Sequence, residues 1–313
     1  MSRMEGTVKK RTVAYMLGAL IVVNVLAWLF VFPLRPGDVR ANYPLLSPRI
    51  FADNPNDILV RFFPLRKQIE AKFKALPEGT QYSFYFEYLP SGTSIRIGDD
   101  NELVAASLIK VPLVMNLYRA AELGKIDLDK TVTIQQDELD GAYGDLWEKG
   151  AGAKYTLRQL ARFALEQSDN TAAHAIYNHT MSLLKEEDQS LAQLDVDQTL
   201  QDGNAIINAK SYTSILKSLY FAAYVGRDSS NEILSYLTNS AEHERLTRDL
   251  PSHVRVAHKN GVYDQISIES DCGIIYAAKR PYALCMMMGL PKDQANDFIA
   301  EVSKIIYDYV IKQ

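Results

Sequence analysis

The sequence is poor in the residues that staple a small fold or clamp a metal. Two cysteines in 313 residues cannot form a disulfide scaffold or a four-thiolate zinc site. The five histidines show no metal-ligand spacing, and His-Glu-x-x-His is absent. His174 and His179 are poorly spaced to share one helix face. No metal is expected. No glycine-rich phosphate loop occurs, so no nucleotide cofactor is expected either. Sixteen glycines and twelve prolines are ordinary usage, which excludes a collagen-like or low-complexity chain. An excess of one charge is also missing. Lysine and arginine number 34 against 38 acidic residues, a net charge of −4. A nucleic-acid partner held by a broad basic field is therefore excluded.

The length allows one large or two small domains. The 47% apolar content is unevenly spread. Residues 13–32 read VAYMLGALIVVNVLAWLFVF, with Asn24 the one strongly polar side chain. A helix of about 20 such residues spans the hydrocarbon core of a bilayer. Its uninterrupted length argues against a buried core helix. Trp28 stands near one end, where interfacial aromatics collect, and Lys9, Lys10 and Arg11 flank the other. The positive-inside rule then puts residues 1–12 in the cytoplasm and the rest outside, as a single-pass cell-membrane protein. A cleaved signal peptide has a shorter apolar core and a small-residue cleavage site. Phe32-Pro33-Leu34-Arg35 is a poor one, and no cysteine follows to take a lipid, so the anchor is expected to stay.

Residues 33–56 hold Pro33, Pro36, Pro44, Pro48 and Pro55 and read as an extended linker. A folded domain is expected over 57–313. Gln81–Tyr88 and Thr93–Ile97 around Pro90-Ser91-Gly92 predict a hairpin. Leu103–Leu123 has a helical pattern. Thr156-x-x-Gln159 is a capping box opening another helix. Asn170 is expected to cap the next, through about Lys185, and Ser211–Tyr224 forms a further one. Strands follow at Val254–His258, Gly273–Ala278 and Tyr282–Met288. An amphipathic helix carrying Phe298, Val302, Ile305, Ile306, Tyr309 and Val310 ends the chain. A hairpin, a long helical block, three strands and a helix imply an α/β chain of the α+β type. Its antiparallel sheet is flanked by helices, with an all-helical subdomain. Cys272 and Cys285 fall on successive strands. A two-residue turn at Lys279-Arg280 makes them diagonal neighbours, and a register shift makes them direct partners. Outside the cytoplasm this allows a disulfide; two small core thiols are the alternative.

Ser-x-x-Lys occurs three times, at Ser107/Lys110, Ser182/Lys185 and Ser214/Lys217. The second and third read as solvated helix faces. Ser107 follows the hairpin and opens the apolar run Leu108-Ile109-Lys110-Val111-Pro112-Leu113-Val114. Positions i and i+3 share a helix face, so the Lys110 amine reaches the Ser107 hydroxyl. Apolar surroundings make a lysine lose its proton more readily and act as a base. Further along stand Ser168-Asp169-Asn170, at a helix–helix junction, and Lys259-Asn260-Gly261, at a strand end. Alone these read as a cap and a polar turn.

Together, and in this order, the three elements resemble the active site of the penicillin-recognising serine enzymes. The segment Ala105-Ala106-Ser107-Leu108-Ile109-Lys110-Val111-Pro112 is similar to class A β-lactamases, as is Gly124-Lys125-Ile126-Asp127-Leu128-Asp129. The resemblance covers about residues 80–290 and implies a β-lactamase/transpeptidase-like fold. It implies that Ser107 is the nucleophile, attacking a β-lactam or peptidoglycan stem-peptide amide, and that Lys110 activates it. Ser168 relays a proton to the leaving nitrogen, and Asn170 orients Lys110 and the substrate amide. Lys259 supplies positive charge for the substrate carboxylate, and Gly261 lets the strand approach. The backbone N–H groups of Ser107 and Val262 form the oxyanion hole, and Tyr143 walls the pocket. Two departures stand out. Asn260 replaces the usual Thr or Ser, although an amide still donates to a carboxylate. The family's loop glutamate, in a Glu-x-x-Leu-Asn context, is missing from 188–208, which holds Asp195, Asp197 and Asp202 instead. Glu186 and Glu187 read as a solvated helix face. A long-lived acyl-enzyme with penicillins is expected.

Overall fold

The computed structural model describes residues 61–98, 101–196, 199–201 and 204–312, together with Met16 and Gly18. The span expected over 13–32, apart from helical Met16 and Gly18, lies outside the described residues, as do the linker over 33–56 and the domain start at 57. Among the described residues no helix is long and apolar enough to cross a membrane. The chain divides into two units, Met1–Pro55 and Asn56–Gln313. The fold described belongs to the second.

Five strands make one antiparallel sheet in the order β2-β1-β10-β9-β8. β1 is Tyr82–Tyr88, β2 Thr93–Ile97, β8 Val256–Tyr263, β9 Ile268–Ile275 and β10 Tyr282–Gly289. Successive side chains of a strand point to opposite faces, and here both faces are covered. Phe84, Phe86 and Tyr88 of β1, with Leu284, Met286 and Met288 of β10, meet the two terminal helices. These are α1 (Phe63–Lys74), which buries Leu65, Ile69 and Phe73, and α8 (Lys292–Ile311), which buries Ile299, Val302, Ile306 and Val310. Tyr85, Ala283, Cys285 and Met287 face the other way, into the core of the helical block. That block holds α2 (Lys110–Glu122), α3 (Leu157–Glu166), α4 (Asn170–Thr180), the short α5 (Ser190–Gln193), α6 (Ala209–Tyr220) and α7 (Arg227–Thr238). Two small ribbons complete it: β3 (Leu103–Val104) with β7 (Asn204–Ile207) and β6 (Thr199–Gln201), and β4 (Thr131–Thr133) with β5 (Lys154–Thr156). The architecture is the antiparallel sheet between helices that the element order implied.

Several local expectations are corrected. Residues 103–123 are a two-residue strand, a 3-10 turn over Ala106–Ile109 and then α2. The strand expected to stop at His258 continues to Tyr263, so Lys259-Asn260-Gly261 lies inside β8. The three residues preceding Gly261 are polar yet buried, and each has a partner; a polar run with its bonds made is compatible with a strand interior. The strand expected at 273–278 is Ile268–Ile275. Asp169, not Asn170, caps α4, its carboxylate accepting from Ala172 N at 2.7 Å, and α4 ends at Thr180. Thr156 caps α3 as expected, with both bonds of the capping box made. Helices at 63–74 and 227–238 had no sequence assignment. The connection between β9 and β10 is longer than a two-residue turn, so Cys285 pairs directly with Cys272, and the two form a disulfide. Of the other Ser-x-x-Lys pairs, Ser182 and Lys185 are exposed, and Lys217 is tied to Glu87 at 2.6 Å.

Candidate active site

Ser107 sits in the 3-10 turn that runs into α2 at Lys110. Ala106, just before it, has φ 47°. A left-handed alanine stores about 1–3 kcal/mol of strain and persists only where its surroundings enforce it. Here Tyr212 donates its hydroxyl hydrogen to Leu108 O at 3.1 Å. Gly261 of β8 packs against the same turn, and a Cβ on it would come within 2.8 Å of Ala105 O. The sequence reading assigned Gly261 to an approach between strand and substrate. The structure shows an approach between the strand and the backbone bearing Ser107.

Lys110 is the hub. Its Nζ lies 3.1 Å from Ser107 Oγ, 2.5 Å from Ser168 O, 3.3 Å from Ser168 Oγ and 2.6 Å from Asn170 Oδ1. A carbonyl and an amide oxygen only accept. Those two bonds occupy both hydrogens of a neutral amine and turn its lone pair toward the serine hydroxyls. Burial favours that neutral form, pulling the Lys110 pKa down from 10.5 to about 8 against the opposing pull of Asp169 and Asp140.

Ser168 is buried, and its φ of 55° is also left-handed. Its neighbours each hold a different part of the site. Asp169 caps α4 and also accepts from Leu146 N at 2.9 Å, tying down the loop that carries Tyr143. Gly144 passes so close that a Cβ there would lie 2.1 Å from Asp169 Oδ2. Asp169 does the capping, and the Asn170 side chain instead accepts from Lys110 and bonds the Asp140 carboxylate.

Lys259 is 1% exposed. Its Nζ donates to Ser168 Oγ at 2.9 Å and to Asn260 Oδ1 at 2.9 Å. Burial first, and then the Lys110 charge, lower its pKa from 10.5 to about 7. Ser168 Oγ thus stands between the two lysines. Asn260 is buried and holds Lys259 through its amide oxygen. On the opposite face of β8, buried His258 pairs with Asp271 at 2.9 Å. Buried Arg245 donates to Ser270 O at 2.9 Å, bonds the Glu269 carboxylate and reaches Gly261 O at 3.4 Å.

Ser107 opens into a cavity of about 340 Å³. Lys110, Asn170, Tyr143 and Val262 line it, while Ser168, Lys259, Asn260 and Gly261 are buried and are not among its lining residues. Sequence reasoning missed Tyr263, Tyr177, Leu113 and His174, which also line it. His174 follows Asn170 by one helical turn, a spacing that puts both on one face, and that signal was available. Arg245 had no sequence signal; folding alone brings it to β8.

The described residues at the start of the stretch that should carry the loop glutamate are held by other contacts. Glu186–Asp188 is a 3-10 turn with Glu186 and Glu187 exposed, not a helix face. The Ser190 N–H donates to Asn116 Oδ1 at 2.7 Å, and Tyr224 donates to that oxygen at 3.0 Å. Asp195 is exposed, and Asp197 and Asp202 lie outside the described residues. Among the described residues no carboxylate lines the cavity, and no group of three or more His, Cys, Asp or Glu is placed to hold a metal ion.

A three-layer fold with a Ser–Lys–Ser cluster at the sheet edge defines the class of penicillin-recognising serine enzymes. Residues 64–310 match the model of the beta-lactamase enzyme family, and the chain belongs to it. A β-lactamase of Proteus vulgaris is 21% identical over 279 residues, which cover 84% of this chain and 89% of that protein. Among solved structures, PBP-A superposes with a TM-score of 0.72 at 21% identity, covering 80% of this chain and 97% of its own. A β-lactamase from Sphaerobacter thermophilus gives 0.71 at 17% identity, covering 81% and 99%. A mutant of PBP-A has been captured as an acyl-enzyme complex with penicillin G.

Proposed function

We propose that the chain is a membrane-anchored serine hydrolase, acylated at Ser107 by a β-lactam or a D-alanyl-D-alanine-like amide and slow to deacylate. The observation that carries this is the Lys110 amine, fixed by Ser168 O and Asn170 Oδ1 with its lone pair toward Ser107 Oγ 3.1 Å away. Lys110 takes the Ser107 proton as Oγ attacks the carbonyl carbon. The N–H groups of Ser107 and Val262 receive the developing oxyanion. Ser168 then passes a proton to the leaving nitrogen, and the contact from Lys259 makes its hydroxyl a better donor. Lys259 is buried and bonded to Ser168 Oγ and Asn260 Oδ1, so its charge acts on a substrate carboxylate through that hydroxyl and amide. Tyr143 forms part of the wall.

The apolar run at 13–32 supports the anchor, with the N-terminus cytoplasmic and the domain outside the cell membrane. The Cys272–Cys285 disulfide fits an oxidising compartment. A D,D-peptidase acting on peptidoglycan is the second reading, favoured by the lack of a carboxylate among the described cavity residues. A noncatalytic peptidoglycan- or partner-binding relative has no use for a lysine aimed at a serine. Fluorescent penicillin added to fractionated cells tests all three. The expected result is a covalent label in the membrane fraction that outlasts minutes and is absent from Ser107→Ala. A folded protein that takes no label leaves the binding reading, and rapid release of label contradicts slow deacylation.

A further inference from the structure

His174 is the one imidazole lining the cavity into which Ser107 opens. It is solvent-accessible, so water reaches it. Its Nδ1 lies 3.3 Å from Glu138 O. A carbonyl oxygen cannot donate, so Nδ1 carries the hydrogen, and the neutral ring keeps its lone pair on Nε2. Glu138 is itself held rigidly. It is 1% exposed, accepts from Gln135 N at 2.8 Å and accepts from Asn178 Nδ2, one turn beyond His174, at 3.0 Å. A base whose tautomer and ring direction are set by a fixed third group is the arrangement that activates a nucleophile. Asn170, on the same face of α4, orients Lys110, so one helix carries both the orienting residue of acylation and this histidine.

The geometry points to His174 as the general base that hydrolyses the acyl-enzyme, in place of a loop carboxylate. This rests on the acylation of Ser107 proposed above. Nε2 takes a proton from a water molecule as its oxygen bonds to the acyl carbon of the Ser107 ester. The tetrahedral intermediate collapses by breaking the bond to Ser107 Oγ, and Oγ recovers a proton from the His174 imidazolium or from Lys110. The products are the free acid and regenerated serine, and one water is consumed.

The full-length protein in detergent is labelled with fluorescent penicillin, and uptake and loss of label are timed separately. His174→Asn and His174→Gln are expected to take up label at the wild-type rate, which certifies their fold. Both are expected to hold it about 10²-fold longer, the ordinary contribution of a general base. The solvent deuterium isotope effect on label loss is expected to shrink in both, and added free imidazole to restore part of the rate. Asp197→Asn and Asp202→Asn should lose label as the wild type does. Label taken up normally by the His174 variants and lost at the wild-type rate overturns the inference alone, as does a lengthened lifetime confined to either aspartate variant. A wild type that takes no label overturns the proposed function, and the inference falls with it.

Discussion

Lys110 has four oxygen partners within 3.3 Å and at most three hydrogens to give. A base at that hub needs a lone pair to receive the Ser107 proton, and only the neutral amine has one. The burial that depresses the pKa to about 8 supplies the neutral amine. The sign follows directly: a base must be unprotonated, so acylation rises as pH climbs through about 8. With an unshifted lysine the rise would continue without levelling off to a midpoint above about pH 10. Stopped-flow acylation with a chromogenic cephalosporin between pH 6 and 10 measures the limb, and a rate still rising steeply at pH 10 would contradict this account. Ser107, Lys110, Ser168 and Asn170 were legible in the sequence because chemistry constrains their types and spacing. Which residue capped α4 was not, since Asp169 and Asn170 are both good caps. The choice was settled by the neighbouring loop, which offers Leu146 N to Asp169.

At the scale of elements, the site depends on how close β8 comes to the turn before α2. Gly261 sets that separation: a Cβ there would meet a backbone carbonyl at 2.8 Å, which no side-chain rotation relieves. Gly261→Ala is expected to lower stability by about 1–3 kcal/mol, as overpacking does. Shifting Ser107 against Val262 of β8 should slow acylation by about 10²-fold, the usual penalty for displacement near 1 Å. Thermal unfolding and label uptake measure the two effects, and wild-type uptake would show the contact to be slack. Lys259-Asn260-Gly261 looked like a strand end because its residues are turn-formers in isolation. Burial against Ser168 kept it in the strand, and local sequence cannot show a partner 91 positions away.

The whole molecule is three layers, and the disulfide lies in the middle one. Cys272 is the register partner of both Cys285 and Lys259, so the cross-link stands beside the site. Its two ends are 13 residues apart, and a loop of about that size gives about 3 kcal/mol in the chain-entropy account. Replacing both cysteines with alanine is expected to reduce unfolding stability by about 2–3 kcal/mol, read from denaturant midpoints; an unchanged midpoint would contradict this. The sequence by itself determined the class of fold, because a hairpin, a helical block and late strands leave few ways to bury their apolar faces. It also determined the Ser107–Lys110 pair, whose three-residue spacing is local. Tertiary structure decided the rest. β10 is buried on both faces and so lacks the alternation that marks a face. The strand register joined the cysteines, and β8 was carried through a polar run. No carboxylate among the described residues lines the cavity, and α4 brings His174 into it. These outcomes depend on contacts between segments far apart in the chain, where packing and burial override local preference.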